Sequence, residues 1–169
     1  MNGPEFIARA AATGSVFDFS VGVKLAEVDK KITLDYIEEI QGRPGKRSIR
    51  RDYGLFEATF GAEPEWVCRS IVLEIHRLAS MPDLAGKVRG LTGVDLAPYT
   101  AWLDVKGELR NLDSRQTFDP ASVTQEYRTY RSKTTGASIH VIDDPASERG
   151  TYPGHGDIWS LDIVDPKFL

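Results

Sequence analysis

Glu74 and His76 are the first side chains in this sequence whose types and spacing suit acid–base chemistry. Residues two apart in an extended strand share a face, so the carboxylate could orient the imidazole for proton transfer. The same alternation places polar residues on the solvent-facing side of any half-buried strand. We therefore interpret His76 as part of a polar strand face, with an acid–base role as the alternative.

The other two histidines occur in different contexts. His140 alternates with apolar residues in ASIHVID, as a polar residue of a half-buried strand does. His155 stands between Gly154 and Gly156 in the segment YPGHGD. Glycines let a backbone approach a ligand closely, but they also form ordinary turns. We favour a turn, and a ligand contact by His155 is the alternative.

Cys68 and the adjacent pairs of carboxylates give little support to covalent or metal chemistry. A lone cysteine in an apolar strand is usually a small buried hydrophobe, and Cys68 would act as a nucleophile only beside a base. Adjacent acids such as Glu38-Glu39 point to opposite faces of a strand. The sequence contains no GxSxG, GxGxxG or phosphate-binding-loop pattern, and no His or Cys pair at metal-ligand spacing. We therefore predict no catalytic residues, no metal site and no cofactor.

The stretch SIRRDYGLFEATF combines charged, aromatic and glycine residues at the junction of two strands. Alternation puts Arg51 and Tyr53 on one face and Arg50 and Asp52 on the other, and Gly54 permits a tight bend. We predict a structural role, in which Asp52 pairs with an arginine or accepts a turn hydrogen bond and Tyr53 packs its ring. A binding surface is the alternative, because arginine and tyrosine are enriched at interface hot spots.

Periodicity predicts the elements that position these groups in the first half of the chain. Pro4 and Gly14 suit the two ends of a first helix, and an apolar stripe at helical spacing favours a second. Residues 34–40 could extend that helix or form a short strand. The predicted elements are helices at about 4–12 and 24–32, strands at 47–53, 55–60 and 66–78, and a connector at 79–94.

The second half is predicted to repeat this order. The expected elements are a helix at 96–103, a short strand at 108–112, a loop at 113–123, a hairpin over 124–143, and a last strand in which Trp159, Leu161 and Ile163 share a face. This order suggests pseudo-repeats at about 21–78 and 95–165 within one compact domain, 1–169. The predicted fold class is α+β, an internal duplication of a helix-plus-three-or-four-strand unit, with a mostly antiparallel sheet and helices packed on one face.

Composition narrows the class of protein. The 169 residues carry a net charge of −4, without the basic excess that nucleic-acid binding usually shows. A single cysteine excludes an internal disulfide, and no apolar run is long enough to span a bilayer. The first residues are predicted to form a helix rather than a signal peptide. We therefore expect a cytoplasmic protein with no nucleic-acid or membrane partner, and the sequence leaves the oligomeric state open.

Charge is distributed unevenly along the chain. Residues 43–51 carry a net charge of +5, and residues 143–165 hold six acids against Arg149 alone, a net charge of −5. Opposite patches can steer a charged partner, although charge runs are commonly just solvated. As partner-binding candidates in the acidic region we select Asp143, Asp144, Glu148, Tyr152, His155 and Asp157.

The segment RRDYGLFEATF…EPEWVCRSIVLEIHRL, residues 50–78, resembles small actinobacterial immunity-type proteins of polymorphic toxin systems. The resemblance covers Leu25–Leu78 best and extends only loosely to APYTAWL and the last strand. It implies a small, acidic, cytoplasmic α+β protein that is not an enzyme and that blocks a cognate protein toxin by occluding its active site. It assigns no role to any residue.

Two other functions stay open at this stage. One is a small enzyme or ligand-binding domain with a site between the repeat halves, built from Tyr53, Glu74, His76 and His155. The other is a structural or homo-oligomeric module that pairs through an exposed strand edge.

Overall fold

The computed structural model describes residues 1–112 and 117–168. Within these residues the chain forms five α-helices and ten strands. The helices are α1 (Gly3–Thr13), α2 (Leu25–Lys31), α3 (Arg77–Ser80), α4 (Asp83–Thr92) and α5 (Trp102–Leu112), and a 3₁₀ turn covers Pro166–Phe168. The strands are β1 (Ser15–Val16), β2 (Phe19–Ser20), β3 (Ile37–Gln41), β4 (Ser48–Asp52), β5 (Phe56–Gly61), β6 (Val67–Leu73), β7 (Asp119–Val123), β8 (Tyr127–Arg131), β9 (Ala137–Ile142) and β10 (Ile158–Val164).

Eight of the strands form one antiparallel sheet in the order β3-β4-β5-β6-β10-β9-β8-β7, and β1 pairs with β2 separately. Two four-stranded meanders therefore meet where β6 pairs with β10, for example through Leu73 opposite Leu161. We call this junction the seam. The predicted α+β class and antiparallel sheet are confirmed. In each meander the strands follow chain order from the outer edge to the seam, from β3 to β6 in one and from β7 to β10 in the other. The origin of the two meanders by duplication stays a prediction.

One face of the sheet is apolar and packs against helices. Phe56, Ala58 and Phe60 alternate along the strand that the sequence predicted at 55–60, and all three are buried on this face. Helix α1 packs against α5, β9 and β10, and Trp102 of α5 stacks on Tyr130 of β8 with ring centroids 4.5 Å apart. The helices add buried side chains to the same core, among them Ile7, Val28, Val88 and Val105. Burial of this continuous apolar surface supplies the main driving force for folding.

The opposite face, which we call the open face, is mainly polar and half-buried. The register of the strands places its side chains in rows across the sheet. They include Arg50, Asp52, Glu57, Thr59, Ser70, Asp162, His140 and Thr129. Because strand residues alternate between faces, this polar surface is the direct counterpart of the apolar core.

The turn after β4 has the structural role predicted for it. Gly54 adopts a φ of +90°, and a Cβ atom there would stand 2.8 Å from Leu84 Cδ2. Asp52 accepts a hydrogen bond from the Gly54 amide at 2.8 Å, and the Tyr53 ring is buried and stacked on Phe56. The positive φ favours a glycine here, and a larger residue would also push the end of the Leu84 side chain aside.

Several predicted boundaries are wrong. Residues 79–94 contain helix α4 rather than only a connector, and the helix expected at 96–103 begins at Trp102 and extends to Leu112. The strand predicted at 108–112 is therefore the end of α5. Short apolar runs fit the spacing of a helix as well as the alternation of a strand, and the glycines within α4 resembled loop residues.

The loop predicted at 113–123 contains strand β7, Asp119–Val123; residues 113–116 lie outside the described residues. All five residues of β7 are exposed at the edge of the sheet, so no alternation marks them. Trp159 does not share a face with Leu161 and Ile163, because a register shift between Ile158 and Ser160 interrupts the alternation.

Candidate functional site

The most chemically varied part of the open face lies at the seam. Strand β6 and the residues after it bring Glu74 and His76 to one side, and β10 brings Trp159 and Asp162 to the other. His140 lies on β9, the strand that pairs with β10. We call these five residues the seam cluster.

His76 is held against Trp159. Its ring stacks on the indole with centroids 4.0 Å apart and planes 1° from parallel, and its backbone amide donates to the Trp159 carbonyl at 2.9 Å. Its Nδ1 lies 3.4 Å from Glu74 Oε2, yet the geometry is not that of a hydrogen bond, and this buried nitrogen has no hydrogen-bond partner among the described residues. The stacking thus fixes the imidazole and leaves one nitrogen unused.

Burial acts on both members of this pair. It raises the pKa of Glu74 above the ordinary carboxyl value, and it lowers the pKa of His76 below the ordinary imidazole value. Each shift favours the neutral form of the side chain. Glu74 and His76 are therefore better described as a desolvated pair than as an ion pair.

His140 links a carboxylate to a hydroxyl across three strands. Its Nε2 lies 3.0 Å from Asp162 Oδ2, and its Nδ1 lies 3.0 Å from Thr129 Oγ1. Ser160 donates from Oγ to Asp162 Oδ1 at 3.3 Å. A carboxylate, an imidazole and a hydroxyl in a row can transfer protons, but they also simply satisfy one another on a half-buried sheet. Thr129 is buried, which places its hydroxyl beneath the surface.

A second polar group on the open face consists of ion pairs. Arg50 donates two hydrogen bonds to Glu57, at 2.7 and 2.9 Å, and Arg77 donates to Glu57 at 2.6 Å and to Asp52 at 2.9 Å. The Arg50 guanidinium holds the pKa of Glu57 below its usual value. Asp52 therefore accepts the predicted turn hydrogen bond, and its arginine partner is Arg77, not Arg50 or Arg51.

Arg51 lies on the helix-covered face instead. It is 5% exposed, donates to Glu38 at 2.8 Å, pairs with Asp29, and sits 4.1 Å from the centroid of the Tyr36 ring. The two arginines of SIRRDYG thus make their ion pairs on opposite faces of the sheet, Arg50 with Glu57 of β5 and Arg51 with Asp29 of α2. Their contacts favour the structural interpretation of that stretch.

Aromatic side chains surround Trp159 at the end of the open face. Tyr127 meets it edge-on at 5.7 Å between centroids with planes at 61°, and Tyr152 lies at 5.8 Å. A shallow hollow of about 260 Å³ opens here. Its lining residues are Tyr127, His140, Trp159, Ser160 and Asp162.

The loop between β9 and β10, which we call the acidic loop (residues 143–157), is organised from inside by Asp157. That carboxylate is 1% exposed and accepts hydrogen bonds from Arg149 Nε at 2.8 Å, Arg149 Nη2 at 2.6 Å and the Gly154 amide at 3.0 Å. Tyr99 adds a hydrogen bond to the Gly150 carbonyl at 2.6 Å. The loop is therefore held in one conformation by buried polar contacts.

The six predicted partner-binding residues occupy different positions in this loop. Glu148, Tyr152 and His155 are exposed, with Tyr152 at 56%. Asp144 caps a turn by accepting from the Ala146 amide at 2.9 Å. Asp143 pairs with Arg128 at 3.0 Å, and Asp157 is buried, so its carboxylate belongs to the support of the surface. Partner binding by the loop stays a prediction.

The alternative site proposed from the sequence assembles only in part. Glu74 and His76 meet at the seam, but Tyr53 is buried on the helix-covered face and His155 is exposed on the acidic loop. Among the described residues, no hydrogen bond, ion pair or ring contact joins Tyr53 or His155 to Glu74 or His76. The four-residue convergence is therefore wrong, and only its Glu74–His76 part is formed.

The described part of the chain offers neither a metal-binding cluster nor a membrane-spanning helix. No group of three or more His, Cys, Asp or Glu side chains is arranged to hold a metal ion. No helix in residues 1–112 and 117–168 is long and apolar enough to cross a membrane.

Comparison with known proteins found no family model, no curated protein and no solved structure that matches this chain.

Sequence reasoning missed the row formed by Asp162, His140 and Thr129. Part of the signal was present, since Asp162 and His140 each alternate with apolar residues in their strands, whereas Thr129 stands between Arg128 and Tyr130. Placing them side by side requires the strand order and the register, which periodicity does not supply.

Proposed function

We propose that this chain is a non-catalytic protein-binding module, an immunity-type protein that neutralises a cognate bacterial toxin by occluding its active site. The observation that carries the proposal is the acidic loop, which is fixed internally by Asp157 and presents Glu148, Tyr152 and His155 outward. A loop that is ordered before binding loses less conformational entropy on association. The resemblance of residues 25–78 to immunity-type proteins points to the same function, and a cytoplasmic location is part of the proposal.

The charge of the loop favours a partner with a basic surface. The acidic loop, residues 143–157, has a net charge of −3, and the segment 143–165, which adds Asp162 and Asp165, has a net charge of −5. This charge complements a toxin whose active-site cleft is basic, such as one that binds a phosphorylated substrate or nucleic acid. Electrostatic complementarity would accelerate association and make the affinity depend on salt. Tyr152, 56% exposed beside Trp159, supplies an aromatic anchor of the kind enriched at interface centres.

The test is to co-express the chain with toxin domains encoded beside it and to measure both survival of the cells and affinity of the purified pair. We expect a stoichiometric complex that weakens at high salt. A variant with Asp144→Lys and Glu148→Lys should bind the toxin at least tenfold more weakly, because two attractive charges become repulsive. Asp157 is left unchanged in this variant, because a lysine at a buried position would unfold the loop.

A matched control keeps the change in net charge and moves it elsewhere. Glu27→Lys with Asp35→Lys reverses two exposed acids in the segment before β3, at the far half of the sheet. The control should bind the toxin nearly as well as the parent protein at moderate salt. Equal loss of affinity in both double variants would show that only total charge matters. Growth inhibition by every neighbouring toxin despite co-expression would refute the proposed function.

The seam cluster favours a second candidate, a ligand-binding or catalytic site between the two meanders. The observations are the unused Nδ1 of His76 and the row of Asp162, His140 and Thr129 beside the hollow. Mass spectrometry of the purified native chain would detect a retained small molecule. Its loss in His140→Asn, with retention in a Glu148→Gln control, would favour this candidate, and a ligand-free spectrum would count against it.

The internal duplication also belongs to these proposals. Its support is the equal strand order of the two meanders on either side of the seam. If the halves share an ancestor, the acidic loop is a point at which they have diverged, because the corresponding connection of the first half, Ala62–Trp66, is short.

A further inference from the structure

We propose that the hollow beside Trp159, which we call the aromatic hollow, receives an arginine side chain of the protein partner. The inference rests on the proposed function and adds the chemistry by which the partner is anchored. It concerns a site on the open face next to the acidic loop, lined by Tyr127, His140, Trp159, Ser160 and Asp162.

The shape of the hollow fits a flat cation. The rings of Tyr127 and Trp159 meet at 61° with centroids 5.7 Å apart, so they form two walls of a corner. The electron-rich faces of tryptophan and tyrosine attract a guanidinium group, and tryptophan does so best. A volume of about 260 Å³ accommodates a side-chain head group without the rest of a large ligand.

The Asp162 carboxylate supplies the negative charge that a guanidinium group would contact. Asp162 lies in the hollow with its side chain 33% exposed, and it already contacts His140 Nε2 at 3.0 Å and Ser160 Oγ at 3.3 Å. These contacts orient the carboxylate, and each of its oxygens can accept a further hydrogen bond. A guanidinium stacks on an aromatic ring and binds a carboxylate through two parallel N–H groups, whereas an ammonium does neither as well.

The hollow is not filled by a cation of this chain in the described residues. There the cation–π contacts are those of Arg51 with Tyr36 and of Arg149 with Tyr99. Within residues 1–112 and 117–168, no cation makes such a contact with the rings of Tyr127 or Trp159. His76 supports one side of the indole by stacking, which fixes the wall of the hollow before any partner arrives.

The direct test uses the intact protein with ethylguanidinium as the probe and ethylurea as its neutral analogue of similar shape. The ¹⁵N–¹H signal of the Trp159 indole reports binding, and Trp159→Phe identifies it. We expect saturable shifts with ethylguanidinium and at least tenfold weaker binding of ethylurea. Asp162→Asn should weaken ethylguanidinium binding about fivefold, in the range for a partly exposed charge contact.

Asp165→Asn is the matched control, since Asp165 follows the same strand and caps the Lys167 amide at 3.0 Å. It should leave the affinity for the probe unchanged. Equal shifts with ethylguanidinium and ethylurea, or equal weakening by both asparagine variants, would overturn the inference. Tighter binding of ethylammonium than of ethylguanidinium would overturn the preference for arginine.

The outcome separates this inference from the proposed function. If a toxin binds the parent protein and Asp162→Asn with the same affinity, the hollow is not its anchor site, although toxin binding itself stands. If ethylguanidinium binds selectively but no neighbouring toxin is neutralised, the hollow is supported as a cation receptor and the immunity function is refuted.

Discussion

Asp157→Asn is the perturbation that best tests how the acidic loop is built. The carboxylate accepts two hydrogen bonds from Arg149, at 2.8 and 2.6 Å, and one from the Gly154 amide at 3.0 Å. An asparagine retains a single acceptor oxygen, and its amide group would face N–H donors. The substitution therefore removes at least one charge-assisted hydrogen bond from a buried position.

The expected cost follows from these contacts. Losing a hydrogen bond to a charged group costs about 1.5–3 kcal/mol, and Arg149, whose side chain is 54% exposed, can recover water, which favours the lower part of that range. We expect the free energy of unfolding to fall by about 2 kcal/mol. For a chain of this length the midpoint of thermal unfolding would fall by about 4–8 °C.

Urea unfolding and thermal scans measure the loss of global stability, and trypsin cleavage after Arg149 measures local opening of the loop. Both the fall in stability and a faster cleavage are expected for Asp157→Asn. The control in the same loop is Asp144→Asn, where the exposed turn keeps an acceptor for the Ala146 amide. We expect that control to change stability by about 0.5 kcal/mol or less. Equal effects of the two substitutions would refute the claim that Asp157 supports the loop from inside.

Two further predictions concern buried ionisable groups. Glu74→Gln should stabilise the protein at neutral pH, because burial raises the pKa of Glu74 and its ionised form is penalised in the folded state. In the parent protein, stability falls as pH rises from the unfolded pKa of Glu74, 4.5, through its higher folded pKa. The stabilisation by Glu74→Gln should therefore fade on acidification below pH 4.5, where the glutamate is also neutral. A stabilisation that does not change with pH in urea titrations would contradict this. Burial raises the pKa of Cys68 to about 12, and we expect its thiol to react with a disulfide reagent at pH 8 only as fast as the protein opens, with urea accelerating the reaction. Rapid stoichiometric labelling of the native protein would show that Cys68 is accessible.

Local patterns in the sequence predicted a large part of the fold. Helix α1 was predicted from Pro4 in its first turn and Gly14 at its C-terminus, and these signals depend only on neighbouring residues. The alternation of Phe56, Ala58 and Phe60 placed them on one face of β5 for the same reason. Residues whose environment comes from distant strands were harder to predict. β7, an exposed edge strand with Pro120, has no pattern of its own and exists because β8 pairs with it.

The candidate site likewise combines features that neighbouring residues predict with features that depend on distant contacts. The sequence identified the acidic loop, because its charges and glycines are adjacent along the chain. It did not indicate that Asp157 turns inward to meet Arg149 while Tyr152 turns outward, since burial depends on how the loop folds over β10.

The sequence by itself determined the α+β class, the apolar and polar faces of most strands, the charge of the two patches and the lack of a familiar catalytic motif. These properties follow from residue type and from spacing over a few positions. Only the tertiary structure decided that β6 pairs with β10, that Asp162, His140 and Thr129 of three adjacent strands come within hydrogen-bond distance, and that a bulge directs Trp159 onto His76. The physical reason is that these contacts join strands far apart in the chain, where one shift of register would move every side chain to the other face.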